Sequence, residues 1–199
     1  MRRRAFLALA GGWAVVVPRA LLAQVKIYRV GLLNRAAPVS DASPFGSALV
    51  RNFARLGYVQ GKNLAFERRG ADFQVDRLPR LVEELAESKV DVIIAIGYPA
   101  ALAAKQHTQL PVVVFSAGDP VGGGLVDGLA RPGGHLTGIS DVSAELTPKR
   151  MELLKEVAPA LRRIAVLWNA DDVGMTLRYQ ASESGARAMG IGVQALGVR

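Results

Sequence analysis

Cysteine is absent from this 199-residue chain. That excludes disulfides, a thiol nucleophile and thiolate-ligated zinc together. Histidine is nearly absent too, with only His107 and His135, and neither belongs to a cluster of acids at metal-ligand spacing. No metal site is therefore expected. Gly122-Gly123-Gly124 lacks the Lys-Ser/Thr that completes a phosphate-binding loop. Gly138-Ile139-Ser140-Asp141-Val142 lacks the second glycine of a nucleophile elbow, and no base pattern surrounds either histidine. The residues offer no cofactor site and no nucleophile–base pair, so a non-enzymatic protein is expected.

A basic stripe is lacking as well. The formal net charge is +8, but the first 23 residues carry Arg2, Arg3, Arg4 and Arg19 with no acid. The remainder holds 21 basic and 17 acidic groups, interspersed along helical faces. No nucleic-acid partner is expected from that pattern.

Long apolar runs are confined to the start. Arg2-Arg3-Arg4 precedes Ala5–Val17, and Ala20-Leu21-Leu22-Ala23 places a small residue before a cut at Ala23/Gln24. This is the layout of a signal peptide over residues 1–23. Arg3-Arg4-Ala5-Phe6-Leu7 also resembles the twin-arginine export motif, and the general secretory route stays open. Pro18 and Arg19 interrupt the run before it reaches membrane-spanning length. Trp13 falls in this leader, whereas Trp168 reads as a core residue.

What the chain has in abundance is alternation. Tyr28–Leu33 reads as a strand, then Asp41 or Ser43 caps a helix with Pro44 in its first turn and Phe45, Leu49, Phe53 and Leu56 on one face, closed by Gly57. Leu64–Arg68 is a short strand, and Asp76–Ser88 a helix with Leu78, Leu81, Val82 and Leu85 as its apolar stripe. Asp91–Ile96 is a buried strand, followed by Pro99 and a helix over Ala100–His107. Val112–Phe115 is a second buried run, bounded by Pro111 and by Ser116-Ala117-Gly118-Asp119-Pro120, which suits the start of a short helix. After the tight loop Arg131-Pro132-Gly133-Gly134, Leu136–Ile139 is one more strand.

Strands alternating with helices imply a parallel α/β sheet covered on both faces, a Rossmann-like lobe over residues 24–143. The pattern then restarts over residues 144–199: a helix at Glu145–Val157, a strand at Arg163–Trp168, a helix at Val173–Met189 and a strand at Gly192–Val198. Two such units cannot bury both faces of a sheet. The second Rossmann-like lobe is thus expected to be incomplete, with Val193–Val198 as an unprotected edge strand.

Several stretches together carry a family resemblance: Gly57-Tyr58-Val59-Gln60-Gly61-Lys62-Asn63, Asp91-Val92-Ile93-Ile94-Ala95, Gly118-Asp119-Pro120-Val121, Gly124-Leu125-Val126, Arg131-Pro132-Gly133-Gly134 and Leu146-Thr147-Pro148-Lys149-Arg150. In this order they resemble the solute-binding components of ABC importers, the family whose better-known members bind tryptophan or tyrosine. The resemblance implies a type I periplasmic-binding fold of two hinged lobes closing on a small molecule such as an amino acid or related carboxylate. It also implies a periplasmic location and an ABC permease of the inner membrane as partner.

The resemblance and the rule that α/β sheets bind ligands beyond their strand carboxyl ends nominate Asn34 and Arg35 after the first strand, and Gly97 and Tyr98 after the third. Ser116 and Asp119 follow the fourth, and Asn169 and Asp171 stand at the matching strand end of the second lobe. Bland alternatives stand beside them: Asp119 as a helix cap, Asn34 as a turn residue, Gly97 as a backbone requirement, Tyr98 as a rim residue where many relatives have Thr or Ser. Three further readings stay open: a truncated remnant that binds nothing, an α/β hydrolase-like enzyme, and the ligand-sensing domain of a regulator.

Overall fold

A computed structural model describes residues 26–198. The expected leader, with Trp13, lies outside the described residues.

The most apolar runs occupy the middle of a five-stranded, all-parallel sheet of order β2-β1-β3-β4-β5. Its strands are β1 (Tyr28–Asn34), β2 (Leu64–Gly70), β3 (Val92–Ile96), β4 (Val112–Phe115) and β5 (Leu136–Ile139). A strand covered on both faces cannot alternate with polar residues, which is why β1 and β3 read as continuous apolar runs. β3 runs beside β1 from Val30↔Val92 to Asn34↔Ile96, and beside β4 from Ile93↔Val112 to Ile96↔Phe115. The carboxyl ends of these three strands therefore finish level, side by side.

Helices α1 (Pro44–Arg55), α2 (Leu78–Glu87) and α3 (Tyr98–His107) cover the sheet. α2 presents Leu78, Leu81, Val82 and Leu85 to one face, all buried with Leu33, Ile93, Ala95 and the alanines of α3. On the other face Phe45, Leu49 and Phe53 of α1 pack against Val30, Leu32, Leu64 and Ile94. Burying each such side chain contributes about 1.5–3 kcal/mol. Ser43 caps α1, its hydroxyl accepting from the Gly46 amide at 3.0 Å.

Three expectations are corrected locally. Leu56, placed on the apolar stripe by its spacing, is exposed at the end of α1, because its own amide closes the last turn and swings it off the packed face. The helix expected from Asp76 begins as a 3₁₀ turn over Val75–Arg77. No helix follows Asp119: Pro120–Gly124 forms turns, as three consecutive glycines, one with φ of +69° at Gly124, favour over a helix.

Beyond β5, α4 (Ser143–Val157), β6 (Arg163–Asn169), α5 (Val173–Ala188) and β7 (Gly192–Val198) follow in the expected order. β6 and β7 form a separate two-stranded parallel sheet. α5 packs on it and on α4. Trp168 is half-buried rather than enclosed, its ring stacked on Tyr179 at 3.8 Å and 7°. The opposite face of this sheet is bare among the described residues: Leu167 is 68% and Leu196 41% exposed. β7 has β6 as its only strand neighbour among the described residues.

Candidate functional site

The first turn of α5 lies across the carboxyl ends of the five-stranded sheet. The approach is close at Gly174, where a Cβ would stand 3.0 Å from the Tyr98 Cβ and 3.2 Å from the Ala117 carbonyl oxygen, tighter than ordinary contact. Between the two surfaces lies a narrow crevice of about 40 Å³. Arg35 enters it from β1, Gly97 and Tyr98 from β3, Ser116 and Ala117 from β4, and Asp172, Met175 and Arg178 from α5.

The backbone on the sheet side is bent to open this space. Gly97 has φ of +82° and heads α3, which no side chain caps. Ser116, with φ of +58°, adopts a left-handed conformation that costs a non-glycine residue about 1–2 kcal/mol. That bend lets its hydroxyl donate to Asp141 Oδ2 at 2.9 Å. The Tyr98 ring is pinned by its hydroxyl, which donates to the Gly123 carbonyl at 2.7 Å.

Two guanidiniums and one carboxylate, Asp172, line the crevice, and Asp141 stands behind Arg178 and Ser116. Arg178 Nη2 meets Asp141 Oδ2 at 2.7 Å, tying α5 to the segment that follows β5. Arg35 Nη1 stands 3.6 Å from Asp172 Oδ2, a distance longer than a hydrogen bond. Asp172 is only 4% exposed and also caps α5, Oδ1 accepting from the Met175 amide at 3.1 Å. The Arg178 Nε is buried with no hydrogen-bond partner.

These neighbours shift two titrations. Burial pushes the Asp141 carboxyl up, but hydrogen bonds from Ser143 and Ser116 and the Arg178 charge outweigh it and hold it below the usual carboxylate value. Burial, then the charge of Asp172, raises the Tyr98 phenol above its ordinary value, so the ring stays neutral as pH rises. Among the described residues no group of three or more His, Asp or Glu is placed to hold a metal ion, and no helix is long and apolar enough to cross a membrane.

Of the nominated residues, Arg35, Gly97, Tyr98 and Ser116 line the crevice, and the other four do not. Asn34 turns to the α1 side, its amide donating to the Ala37 carbonyl at 3.0 Å. Asp119 is held in its own turn, Oδ1 accepting from the Val121 and Gly122 amides at 3.1 and 2.8 Å. Asn169 Oδ1 accepts from the Asp171 amide at 2.9 Å, shaping the turn into α5. Asp171 lines a neighbouring groove with Leu78, Pro99 and Val173.

Sequence reasoning missed Asp172, Gly174 and Arg178. Asp172 stood one residue past the nominated Asp171, and its signal was the N-cap position before Val173. Gly174 and Arg178, four apart, share a face of α5. An arginine inside a helix reads as solvent-facing unless the helix's tertiary placement is known.

Similarity to known proteins runs through most of the chain. The family described as ABC transporter substrate binding protein matches residues 47–199. A tyrosine-binding protein of Clostridioides difficile (strain R20291) is 30% identical over 126 residues, 63% of this chain and 36% of that protein. A conserved domain protein of Vibrio cholerae O1 biovar El Tor shares the fold at a TM-score of 0.80 and 26% identity, over 87% of this chain and 58% of that one. A substrate binding protein with adhesive properties from Clostridium difficile, in a ligand-free open structure, is similar at a TM-score of 0.62 and 27% identity, over 86% of this chain and 58% of that one. The chain thus spans 36% of the curated relative and 58% of each of these two structures.

Proposed function

The chain belongs to the ABC transporter substrate binding protein family, and from that premise we propose that its crevice receives an amino acid or related small carboxylate. In this reading residues 24–143 and 144–199 act as two lobes hinged near Ser143, and closure brings α5 onto the strand ends. Residues 1–23 export the chain to the periplasm, and an ABC permease of the inner membrane takes the ligand from it. The protein performs no chemistry on what it binds.

One observation carries the reading. Arg35 and Asp172 face each other from opposite sides of the crevice at 3.6 Å, too far for a good hydrogen bond and too enclosed for free hydration of Asp172. A zwitterion entering between them gives its carboxylate to Arg35 and its ammonium to Asp172. One long ion pair is replaced by two charge-assisted hydrogen bonds, which are among the strong ones. Ser116 and the uncapped start of α3 flank the carboxylate position. The similarity to a tyrosine-binding protein supports an amino acid as the ligand class.

Thermal unfolding across a panel of amino acids, simple carboxylates and sugars tests this. A ligand at a hundred times its dissociation constant adds about 2.7 kcal/mol, which for a chain of this size is roughly 5–10 °C. Shifts confined to amino acids or carboxylates, and lost in Arg35→Met, are the expected result. A shift with sugars alone, or one indifferent to Arg35, overturns the assignment.

A further inference from the structure

A parallel sheet has two unlike ends. The crevice stands at the carboxyl ends of the strands. The opposite end is built from the starts of β1 and β2, the last turn of α1 and the turn over residues 57–63. Contacts join these pieces into one surface. The Tyr28 amide donates to the Asn63 carbonyl and the Tyr58 amide to the Phe53 carbonyl, both at 2.9 Å. The Tyr28 and Tyr58 rings meet edge to face at 5.3 Å. The Asn63 side chain closes the turn, Oδ1 accepting from the Val59 amide at 2.7 Å and Nδ2 donating to the Gly57 carbonyl at 3.0 Å. This turn belongs to the family resemblance but contributes no residue to the crevice.

Two features of this end serve no purpose within the fold. Leu56 is 75% and Ile27 53% exposed, with Tyr28 beside them at 37%. One exposed aliphatic side chain is ordinary, but a connected apolar surface marks an interaction site. Around it Arg51, Arg55 and Lys62 are exposed and form no ion pair among the described residues. The carboxylates within reach are already answered. Asp91 accepts from the Arg29 amide at 2.7 Å and pairs with Lys26 at 3.2 Å. Asp41, which Gln60 reaches, pairs with Arg68. The surface therefore offers unanswered positive charge around an apolar tip.

We propose that this end of the sheet docks reversibly on an anionic phospholipid bilayer, Leu56 and Ile27 entering the headgroup layer while Arg51, Arg55 and Lys62 meet the lipid phosphates. Aliphatic side chains beside cations and tyrosines are the composition of an interfacial membrane contact. A bilayer needs no matching groove, because headgroups mould around a projecting helix end and turn. Each cation near an anionic surface adds about a fivefold gain in binding, and the two aliphatic side chains add the apolar share. The crevice, at the other end of the strands, then faces solution and stays open to its ligand. The inference is independent of which ligand the crevice takes.

Because the chain has no cysteine, one introduced at Leu56→Cys carries a single environment-sensitive dye. The same dye at Phe73→Cys, a residue 70% exposed beyond the other end of β2, is the control for the dye itself. The full labelled chains are titrated with vesicles of phosphatidylglycerol or of phosphatidylcholine containing a quencher lipid. The expected result is a blue shift and quenching at position 56 with phosphatidylglycerol, none at position 73, and weakening as salt is raised. Combining Arg51→Glu, Arg55→Glu and Lys62→Glu leaves residues 1–23 unchanged, so binding by those residues alone does not alter the comparison. That variant should need at least about tenfold more lipid for the same response, and an unchanged urea midpoint shows that it is folded. Position 56 remaining in water, equal quenching at both positions, an equal response to the two lipids, or no effect of the charge reversal each overturns the proposal.

Discussion

The contact between α5 and the segment after β5 should be measurable as a coupling energy between Arg178 and Asp141. Their atoms meet at 2.7 Å, and the side chains are 26% and 34% exposed. The gross attraction at that distance, with an effective dielectric near 20, is roughly 6 kcal/mol. Desolvation of both groups and the ordering of the arginine chain remove most of it. Exposed pairs retain about 0–1 kcal/mol, whereas breaking a fully buried pair costs about 3–5 kcal/mol. This half-buried pair, with Ser116 also donating to the same carboxylate oxygen, should retain about 1–2 kcal/mol of coupling. A double-mutant cycle with Arg178→Met and Asp141→Asn, read by urea unfolding, isolates that term. The coupling should weaken in high salt less than a surface pair would. A value below about 0.3 kcal/mol, within the scatter of independent sites, would refute the idea that this ion pair clasps α5 to the sheet.

Other consequences follow from particular residues. Gly97→Ala meets no atom within 4 Å of the new Cβ, so its cost is conformational: about 1–2 kcal/mol for a side chain held at φ of +82°, read as a lower urea midpoint. Leu85→Ala, fully buried between α2 and the sheet, should cost about 2–5 kcal/mol and lower the melting temperature by more than about 5 °C. The lowered carboxyl of Asp141 contributes stability that is complete above the ordinary Asp value and is lost as pH falls through its folded value. Asp141→Asn should therefore lose less stability than the wild type between pH 7 and about pH 3, measured as the change in urea midpoint; an equal loss in both would contradict the assignment.

Much of the architecture was legible because it rests on burial patterns that leave a direct trace. Val92–Ile96 and Val112–Phe115 could only be apolar throughout, lying in the middle of a doubly covered sheet, and the stripe Leu78, Leu81, Val82, Leu85 follows from helical spacing alone. The strand ends were equally readable, which is why Arg35, Gly97, Tyr98 and Ser116 were nominated and stand together in the crevice. What failed was the choice among aspartates. Asp119, Asp171 and Asp172 all stand in short turns after strands, and each could cap the backbone that follows. Only the placement of α5 on the sheet decides that Asp172 enters the crevice while Asp119 is spent on its own turn. Arg178 left no trace for the same reason, since its role comes from a contact 37 residues away in the chain. Asn34 illustrates a finer limit: spacing brought it to the right strand end, but the pleat sends it to the other side.

The most direct test of the account is a crystal structure of the chain bound to the amino acid that gives the largest thermal shift. The expected result places the carboxylate against Arg35 and Ser116 at the start of α3, and the ammonium against Asp172. Arg35 and Asp172 would then contact the ligand instead of each other. Density elsewhere, or a ligand-bound structure in which the Arg35–Asp172 pair remains intact and untouched, would contradict it.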